Sequence, residues 1–426
     1  MAELATGPTR HGLRCASCVK READSQTAGR HVLAVADDER RATSNESAGL
    51  YVHIPVCRSK CRYCGFYSVP AGGVDAGRLV DGLLRELERY DDGIEFCTAY
   101  IGGGSPTALP AEELIRLVRR VRERCPQAQE FTVECNPGQV DARLLGGLKT
   151  AGVNRLSFGA QSFNARELEL LGRAHSVGQI AAAVAMARRS GFENVGLDLI
   201  FAIPGSTLAD WQAGLEAALA LNIEHVSAYS LSFEAGTVFE AWRGTGWLAA
   251  VDEELDRAMY EEAIDRLERA GLRQYEISNF ARPGCECRHN LGYWANRPYV
   301  GIGPAAASYL TNDAVRASGR RLTNDADIGR YLAAVESGRT APAETNLVSP
   351  DDAACETAVL NLRRREGIDL AEFHRRTGRD AMRIFAEPIG RYRQMGLIEV
   401  ADRAVRLSGQ ALPIADTILC DFSALE

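Results

Sequence analysis

From residue 49 onward, apolar runs of strand length alternate with segments of helical period. The strand-like runs fall at residues 50–54, 98–101, 131–134, 155–159, 195–200 and 225–231. Helix-length segments lie between them, for example at 76–90, 111–124 and 208–220. Such alternation predicts parallel strands joined by right-handed crossovers. Six units of this kind predict an α/β fold built on an incomplete barrel over residues 48–280.

The rhythm then changes. Residues 251–270 read as an amphipathic helix rich in Glu and Arg, and 275–280 read as a strand. A dense motif follows within an extension at 281–345: Cys287-Arg-His-Asn-Leu-Gly-Tyr-Trp294. Short helical segments and a hairpin-like piece at 397–407 predict a small separate domain, 346–426, of helical, winged-helix-like type. Residues 1–47 are different again, rich in Ala, Arg, Ser, Thr and Asp without sustained period. That composition predicts a disordered extension. It carries a C-x2-C at Cys15 and Cys18 with no partner pair, and whether it is translated stays open.

Bulk properties narrow the function. The chain has 426 residues, 46% of them hydrophobic, enough for one large domain and a smaller one. A net charge of −8 with no polybasic block argues against nucleic acid as a partner. The apolar stretches are far too short to span a bilayer, and no charged-then-apolar signal opens the chain. Twelve cysteines, three of them in one tight motif, fit a reducing cytoplasm better than a disulfide framework.

Those three are Cys57, Cys61 and Cys64, at C-x3-C-x2-C spacing just after the first predicted strand. Thiolates hold iron–sulfur clusters, and a cube of four irons usually takes four of them. Three protein ligands leave one iron open to chelate a small molecule, which is the arrangement radical S-adenosylmethionine proteins need. Zinc is the alternative, but it usually wants a second cysteine pair, and Cys97, Cys125 and Cys135 are scattered singly.

The other unusual residues also follow predicted strands: Gly102-Gly-Gly-Ser-Pro106, Glu134-Cys-Asn-Pro137, Gln161, and Asp198 with Pro204-Gly205. Barrel sites gather at the C-terminal ends of strands, so one shared site is expected. The glycines permit close backbone approach to a ligand. Arg173 can grip a carboxylate in fork geometry, and Asp198 can accept ribose hydroxyls. Taken singly, each of these is more often a turn, a cap or a solvated strand end. His289 beside Tyr293 and Trp294 has two readings. It is a haem ligand flanked by rings, or a satisfied histidine in an aromatic core corner.

Several segments resemble the oxygen-independent coproporphyrinogen III oxidase superfamily. They are residues 51–68, the 102–106 loop, 154–163, Leu171-Gly-Arg-Ala-His175, Leu197-Asp-Leu-Ile200 and Tyr275-Glu-Ile-Ser-Asn-Phe-Ala281. Within it, the 287–294 motif resembles the HemW branch of radical S-adenosylmethionine haem chaperones. The likeness covers about residues 49–420. It implies a partial (β/α)6 barrel, a [4Fe–4S] cluster on Cys57, Cys61 and Cys64, and haem on His289, Asn290, Tyr293 and Trp294. It also implies an S-adenosylmethionine pocket lined by Tyr51, Tyr63, Gly103, Gly104, Ser105, Glu134, Gln161, Arg173 and Asp198. The implied function is delivery of haem to respiratory haem proteins, including ones at the membrane surface, from the cytoplasm. The alternative is oxidative decarboxylation of coproporphyrinogen III.

Two departures bear on that choice. The oxidases carry a fourth cysteine after one further residue, where this chain has Phe66. They also share an aromatic N-terminal stretch that is missing here. Both favour the chaperone branch. Against it, Ala307 stands where the branch usually carries a histidine, which implies weakened or altered haem binding.

Overall fold

The structure is a computed structural model that describes residues 47–90, 93–313, 316–339 and 342–425. The reading of residues 1–46, with Cys15 and Cys18, falls outside the described residues. The chain divides into two compact units. One takes Val52–Leu84 and Thr98–Cys287, and the other takes Arg85–Cys97 and Arg288–Glu426 with the chain up to Tyr51.

The first unit contains the expected strand–helix repeats. Its strands are β1 (Ala48–Ile54, which crosses the unit boundary), β2 (Phe96–Gly103), β3 (Glu130–Cys135), β4 (Arg155–Gln161), β5 (Asn194–Phe201) and β6 (His225–Ser230). They lie side by side in sequence order, with parallel registers from β2 through β6. Near-continuous burial along each strand, as in Phe131, Thr132 and Val133, explains why they read as apolar runs rather than alternating ones. The crossovers are α1 (Ala76–Leu87), α2 (Ala111–Arg124), α3 (Ala142–Thr150), α4 (Ala165–Leu171) with α5 (Val177–Arg189), and α6 (Leu208–Leu219).

Local chemistry sets these helices. In α2, Leu114, Leu117, Val118 and Val121 form one buried stripe, with Glu112 and Glu113 in the first turn and Arg122 and Arg124 in the last. That charge order opposes the helix dipole. Helix α6 starts at a capping box, Thr207 with Asp210.

After β6 come α7 (Val238–Gly244), α8 (Glu253–Arg269), β7 (Arg273–Gln274) and β8 (Asn279–Ala281). β8 pairs antiparallel with β6, Asn279 opposite Ser227, and β7 pairs antiparallel with β8. The six-stranded run therefore stays open as a partial barrel. The expected strand at 275–280 is corrected here. The chain reverses inside it, with the Tyr275 N–H donating to the Asn279 carbonyl at 3.1 Å. The Asn279 amide donates to the buried Glu276 carboxylate across the same turn. β-type residues concealed a turn that two polar side chains stabilise.

The second unit begins its C-terminal part with α9 (Arg288–Trp294). Four antiparallel strands follow, β9 (Tyr299–Ile302), β10 (Ala307–Asp313), β11 (Arg316–Asn324) and β12 (Pro342–Val348), with α10 (Ile328–Glu336) between the last two. Glu86 is fully buried in this unit. It accepts from the Gly303 N–H at 2.8 Å, the Asn324 amide at 2.8 Å and the Tyr331 hydroxyl at 2.7 Å. Three donors offset the cost of burying a carboxylate. The remainder is helical: α11 (Pro350–Leu362), α12 (Leu370–Thr377), α13 (Ala381–Ile384), α14 (Ala386–Gln394) and α15 (Ala415–Cys420). These helices surround a small antiparallel sheet of β13 (Ile368–Asp369), β15 (Ala404–Leu407) and β14 (Ile398–Val400). The β14–β15 hairpin is the one expected near 397–407.

Candidate functional site

The cysteine loop leaves the C-terminal end of β1 and is tied at its base. Val56 and Cys57 pair in parallel with Val69 and Pro70, and the Val69 N–H donates to the Pro55 carbonyl at 2.8 Å. On the other side, the N–H groups of Gly104 and Ser105 donate to the carbonyls of Ile54 and Val56, each at 2.8 Å. A side chain at 104 would put its Cβ 2.6 Å from the Val56 oxygen, so the contact requires glycine.

Cys57, Cys61 and Cys64 are free and partly exposed. Burial raises the Cys57 thiol pKa and pushes that of Cys64 up to about 11. Arg173 reaches the loop from the turn after α4. Its Nη1 donates to Cys61 Sγ at 3.2 Å and its Nη2 donates to the Gly159 carbonyl at 2.7 Å. Tyr63 sits beside Arg173 and packs on Phe239, ring centroids 6.4 Å apart. Among the described residues no group of three His, Cys, Asp or Glu side chains is gathered tightly enough for a single metal ion. A cube of four irons holds its thiolates farther apart than one ion does. The donor set suits such a cluster: three thiols on one half-open loop, with a cationic donor already on one sulfur.

Two buried carboxylates stand on β3 and β5, on either side of β4. Glu134 accepts from the Tyr100 hydroxyl at 2.8 Å and from the Gly103 N–H at 3.1 Å. Burial outweighs both bonds and pushes its pKa up to about 7. Asp198 accepts from Ser227 Oγ at 2.8 Å and Ser157 Oγ at 3.2 Å, and burial raises its pKa as well. At the end of β4 the register shifts between Gly159 and Gln161, and Gln161 takes φ 69°. A non-glycine residue there is uncommon and re-aims its side chain. The Gln161 amide and the Arg173 guanidinium both crowd over Gly159, at 3.0 and 3.2 Å from the position a Cβ would occupy. Ser105 Oγ donates to Gln139 Oε1 at 3.0 Å.

The structure thus brings together Cys61, Tyr63, Gln161 and Arg173 around the loop, and Gly103 with Glu134 beside it. Tyr51 lies on β1, the strand that leads into the loop. It is buried in the second unit with His289, ring centroids 6.5 Å apart. Sequence reasoning missed Tyr100, Ser157 and Ser227, which hold the two carboxylates. Their signal is a polar side chain inside an otherwise apolar strand.

His289, Asn290, Tyr293 and Trp294 all lie on α9, and each is buried. His289 is 3% exposed, its Nε2 is 3.0 Å from Tyr293 Oη, and the two rings meet edge to face at 4.8 Å. Tyr293 in turn meets Tyr299 edge to face at 4.7 Å. The Trp294 carbonyl accepts from the Asn361 amide at 2.9 Å, and Arg363 lies 5.0 Å over the Trp294 ring. Ala307, where the resemblance offers a histidine, is buried in β10 against Gly301. His289 Nε2 can ligate an iron only by giving up this contact with the Tyr293 hydroxyl.

A radical S-adenosylmethionine superfamily model matches residues 51–218, and a HemN C-terminal domain model matches 348–414. The chain is 35% identical over 379 residues to the Bacillus subtilis protein named heme chaperone HemW, covering 87% of this chain and 98% of that one. A Mycobacterium tuberculosis protein of the same name is 35% identical over 381 residues, covering 87% of this chain and 93% of its own. Among solved structures, coproporphyrinogen III oxidase (HemN) from Escherichia coli aligns with a TM-score of 0.75 at 22% identity. The alignment covers 88% of this chain and 90% of that one, and it shows a shared fold. No helix among the described residues is long and apolar enough to cross a membrane.

Proposed function

Because the chain belongs to the HemW family, within the radical S-adenosylmethionine superfamily, we propose that it is a haem chaperone. It binds haem as cargo and hands it to respiratory haem proteins, with a [4Fe–4S] cluster and S-adenosylmethionine as cofactors. The observation that carries this reading is the 35% identity to the Bacillus subtilis protein named heme chaperone HemW over 98% of that protein's length.

In this reading Cys57, Cys61 and Cys64 hold the cluster. Tyr51, Tyr63, Gly103, Gly104, Ser105, Glu134, Gln161, Arg173 and Asp198 hold S-adenosylmethionine. The bound pair supplies one-electron chemistry that side chains lack. The chain's own residues do the positioning. The Glu134 carboxylate, braced by Tyr100 and Gly103, is an acceptor for the ammonium of the methionine part. That cation draws the glutamate to its ionised form. Asp198, held by two serines, accepts ribose hydroxyls. Arg173 secures the loop through Cys61 and presents its remaining N–H groups to a carboxylate.

Phe66, in place of a fourth cysteine, speaks against coproporphyrinogen decarboxylation. Its carbonyl instead accepts from the Lys60 ammonium at 3.2 Å and closes the end of the loop. The test is anaerobic reconstitution, followed by titration with haem. In parallel, the protein is incubated with S-adenosylmethionine, reductant and coproporphyrinogen III. Stoichiometric haem binding without protoporphyrinogen is expected. Protoporphyrinogen formed at a catalytic rate reverses the assignment in favour of the oxidase.

A further inference from the structure

Arg62 lies between two of the thiol-bearing residues and carries more contacts than a spacer needs. Its N–H donates to the Leu171 carbonyl at 3.1 Å, and its own carbonyl accepts from the Phe239 N–H at 3.0 Å. Its Nη1 donates to the carbonyls of Glu169 at 2.9 Å and Leu170 at 3.1 Å. Those carbonyls belong to the last turn of α4, where that of Glu169 also accepts from the Gly172 N–H at 3.0 Å, so the guanidinium caps the helix end together with the backbone. The guanidinium also lies 5.4 Å from the centre of the Trp242 ring. Trp242 is covered by Trp247, ring centroids 4.2 Å apart, and stacks on Phe239 at 5.7 Å.

The same short turn works in the opposite direction. Gly172 ends α4 in the left-handed region, φ 73°, and a side chain there would press on Arg62 Cγ at 3.1 Å. The next residue, Arg173, sends its guanidinium back to Cys61 Sγ. One arginine reaches from the loop to the helix end, and the other reaches from the helix end to the loop. Each fixes the segment from which the other reaches.

We propose that Arg62 is a positioning residue for the cysteine loop, acting through a reciprocal clasp with the 169–173 turn and through stacking on Trp242. The reading rests on the assignment of the cluster to Cys57, Cys61 and Cys64. Without the clasp the three sulfurs lose their fixed mutual placement and the open side of the loop admits water. Lysine at 62 keeps the charge and a donor for the carbonyls but loses the planar stacking face.

The test uses full-length protein, reconstituted anaerobically with iron and sulfide, in four forms: parent, Arg62→Ala, Arg62→Lys and Trp242→Leu. Cluster loss to a chelator, the cluster's reduction potential and its electron paramagnetic resonance line shape are recorded beside the melting midpoint. Arg62→Ala should lose its cluster at least tenfold faster than the parent, with a shifted potential and a broadened signal. Trp242→Leu should fall between the two, and Arg62→Lys should recover part of the lifetime. Parental lifetime, potential and line shape in both Arg62→Ala and Trp242→Leu overturn the proposal. If Arg62→Ala does not fold, Trp242→Leu and Arg62→Lys decide by the same readouts. A parent that takes up no cluster refutes the cluster assignment itself, an outcome distinct from failure of the clasp.

Discussion

The cysteine loop and the α9 helix both carry dense runs of chemically capable residues, and they are built in opposite ways. The loop projects its thiols half-exposed and takes its order from residues far away in sequence, on α4, its following turn and α7. The helix turns its histidine, asparagine and aromatics inward, where His289 meets the Tyr293 hydroxyl and Tyr293 packs on Tyr299. The difference teaches that residue type at motif spacing announces chemistry, whereas availability depends on what else the fold places on the same atoms. The loop is ready for a ligand. The helix already spends its histidine Nε2 on a neighbouring hydroxyl.

The sharpest way to break the comparison is at the loop. Replacing Cys57, Cys61 or Cys64 singly by Ala should abolish the thiolate-to-iron charge-transfer absorbance of the reconstituted protein while leaving far-ultraviolet dichroism unchanged. Full cluster occupancy in Cys57→Ala would remove the loop from the site.

At the helix, His289→Ala should behave as a core mutation. It strips the Tyr293 hydroxyl of its buried partner and leaves a ring-sized void, at a cost of about 3 kcal/mol. Denaturant unfolding measures that cost, and the cluster spectrum should survive. Haem affinity belongs in the same experiment. If the variant keeps parental stability and loses haem, His289 is a ligand held in reserve rather than a packed residue.

Glu134→Gln tests the site through pH. The glutamate pKa is raised from an ordinary 4.5 to about 7 in the fold. The folded state therefore prefers the protonated form. This contribution to stability is complete below pH 4.5 and is lost as pH rises through 7. At about 1.4 kcal/mol per unit the ceiling is roughly 3 kcal/mol, less whatever solvent screens. The glutamine variant should gain on the parent between pH 5 and pH 8 in melting experiments. A difference that stays flat across that window would show Glu134 to be ionised throughout.

Trp294→Phe should give the smallest effect. The indole N–H is buried without an acceptor, so its removal breaks no hydrogen bond. Lost packing and a weaker surface for Arg363 leave a cost of about 1 kcal/mol. A cost equal to that of His289→Ala would mean that the two residues act as one unit.

Much of this was legible beforehand, for physical reasons. Strands buried on both faces are mostly apolar, so β1 to β6 read directly, and polar residues in or just after them stood out as site residues. The turn inside 275–280 stayed hidden because tyrosine, isoleucine and phenylalanine imitate a strand. Nothing local marks Glu276 and Asn279 as partners. Arg62 passed as a spacer because its acceptors lie 107 and 108 residues away. The burial of His289 was equally invisible, since a seven-residue helix shows no polar face to distinguish inside from outside.

The clasp also imposes an order of events on the newborn chain. All three thiols leave the ribosome ahead of every crossover helix of the barrel. The carbonyls that seat Arg62 follow more than a hundred residues later, and Phe239 and Trp242 emerge later still. Until then the loop is held at its base alone, by residues 69–70 and 104–105, and its three sulfurs lack the clasp. Iron must therefore meet a barrel that is nearly complete, and the protein has to protect its thiols from oxidation throughout the synthesis of five further strand–helix units.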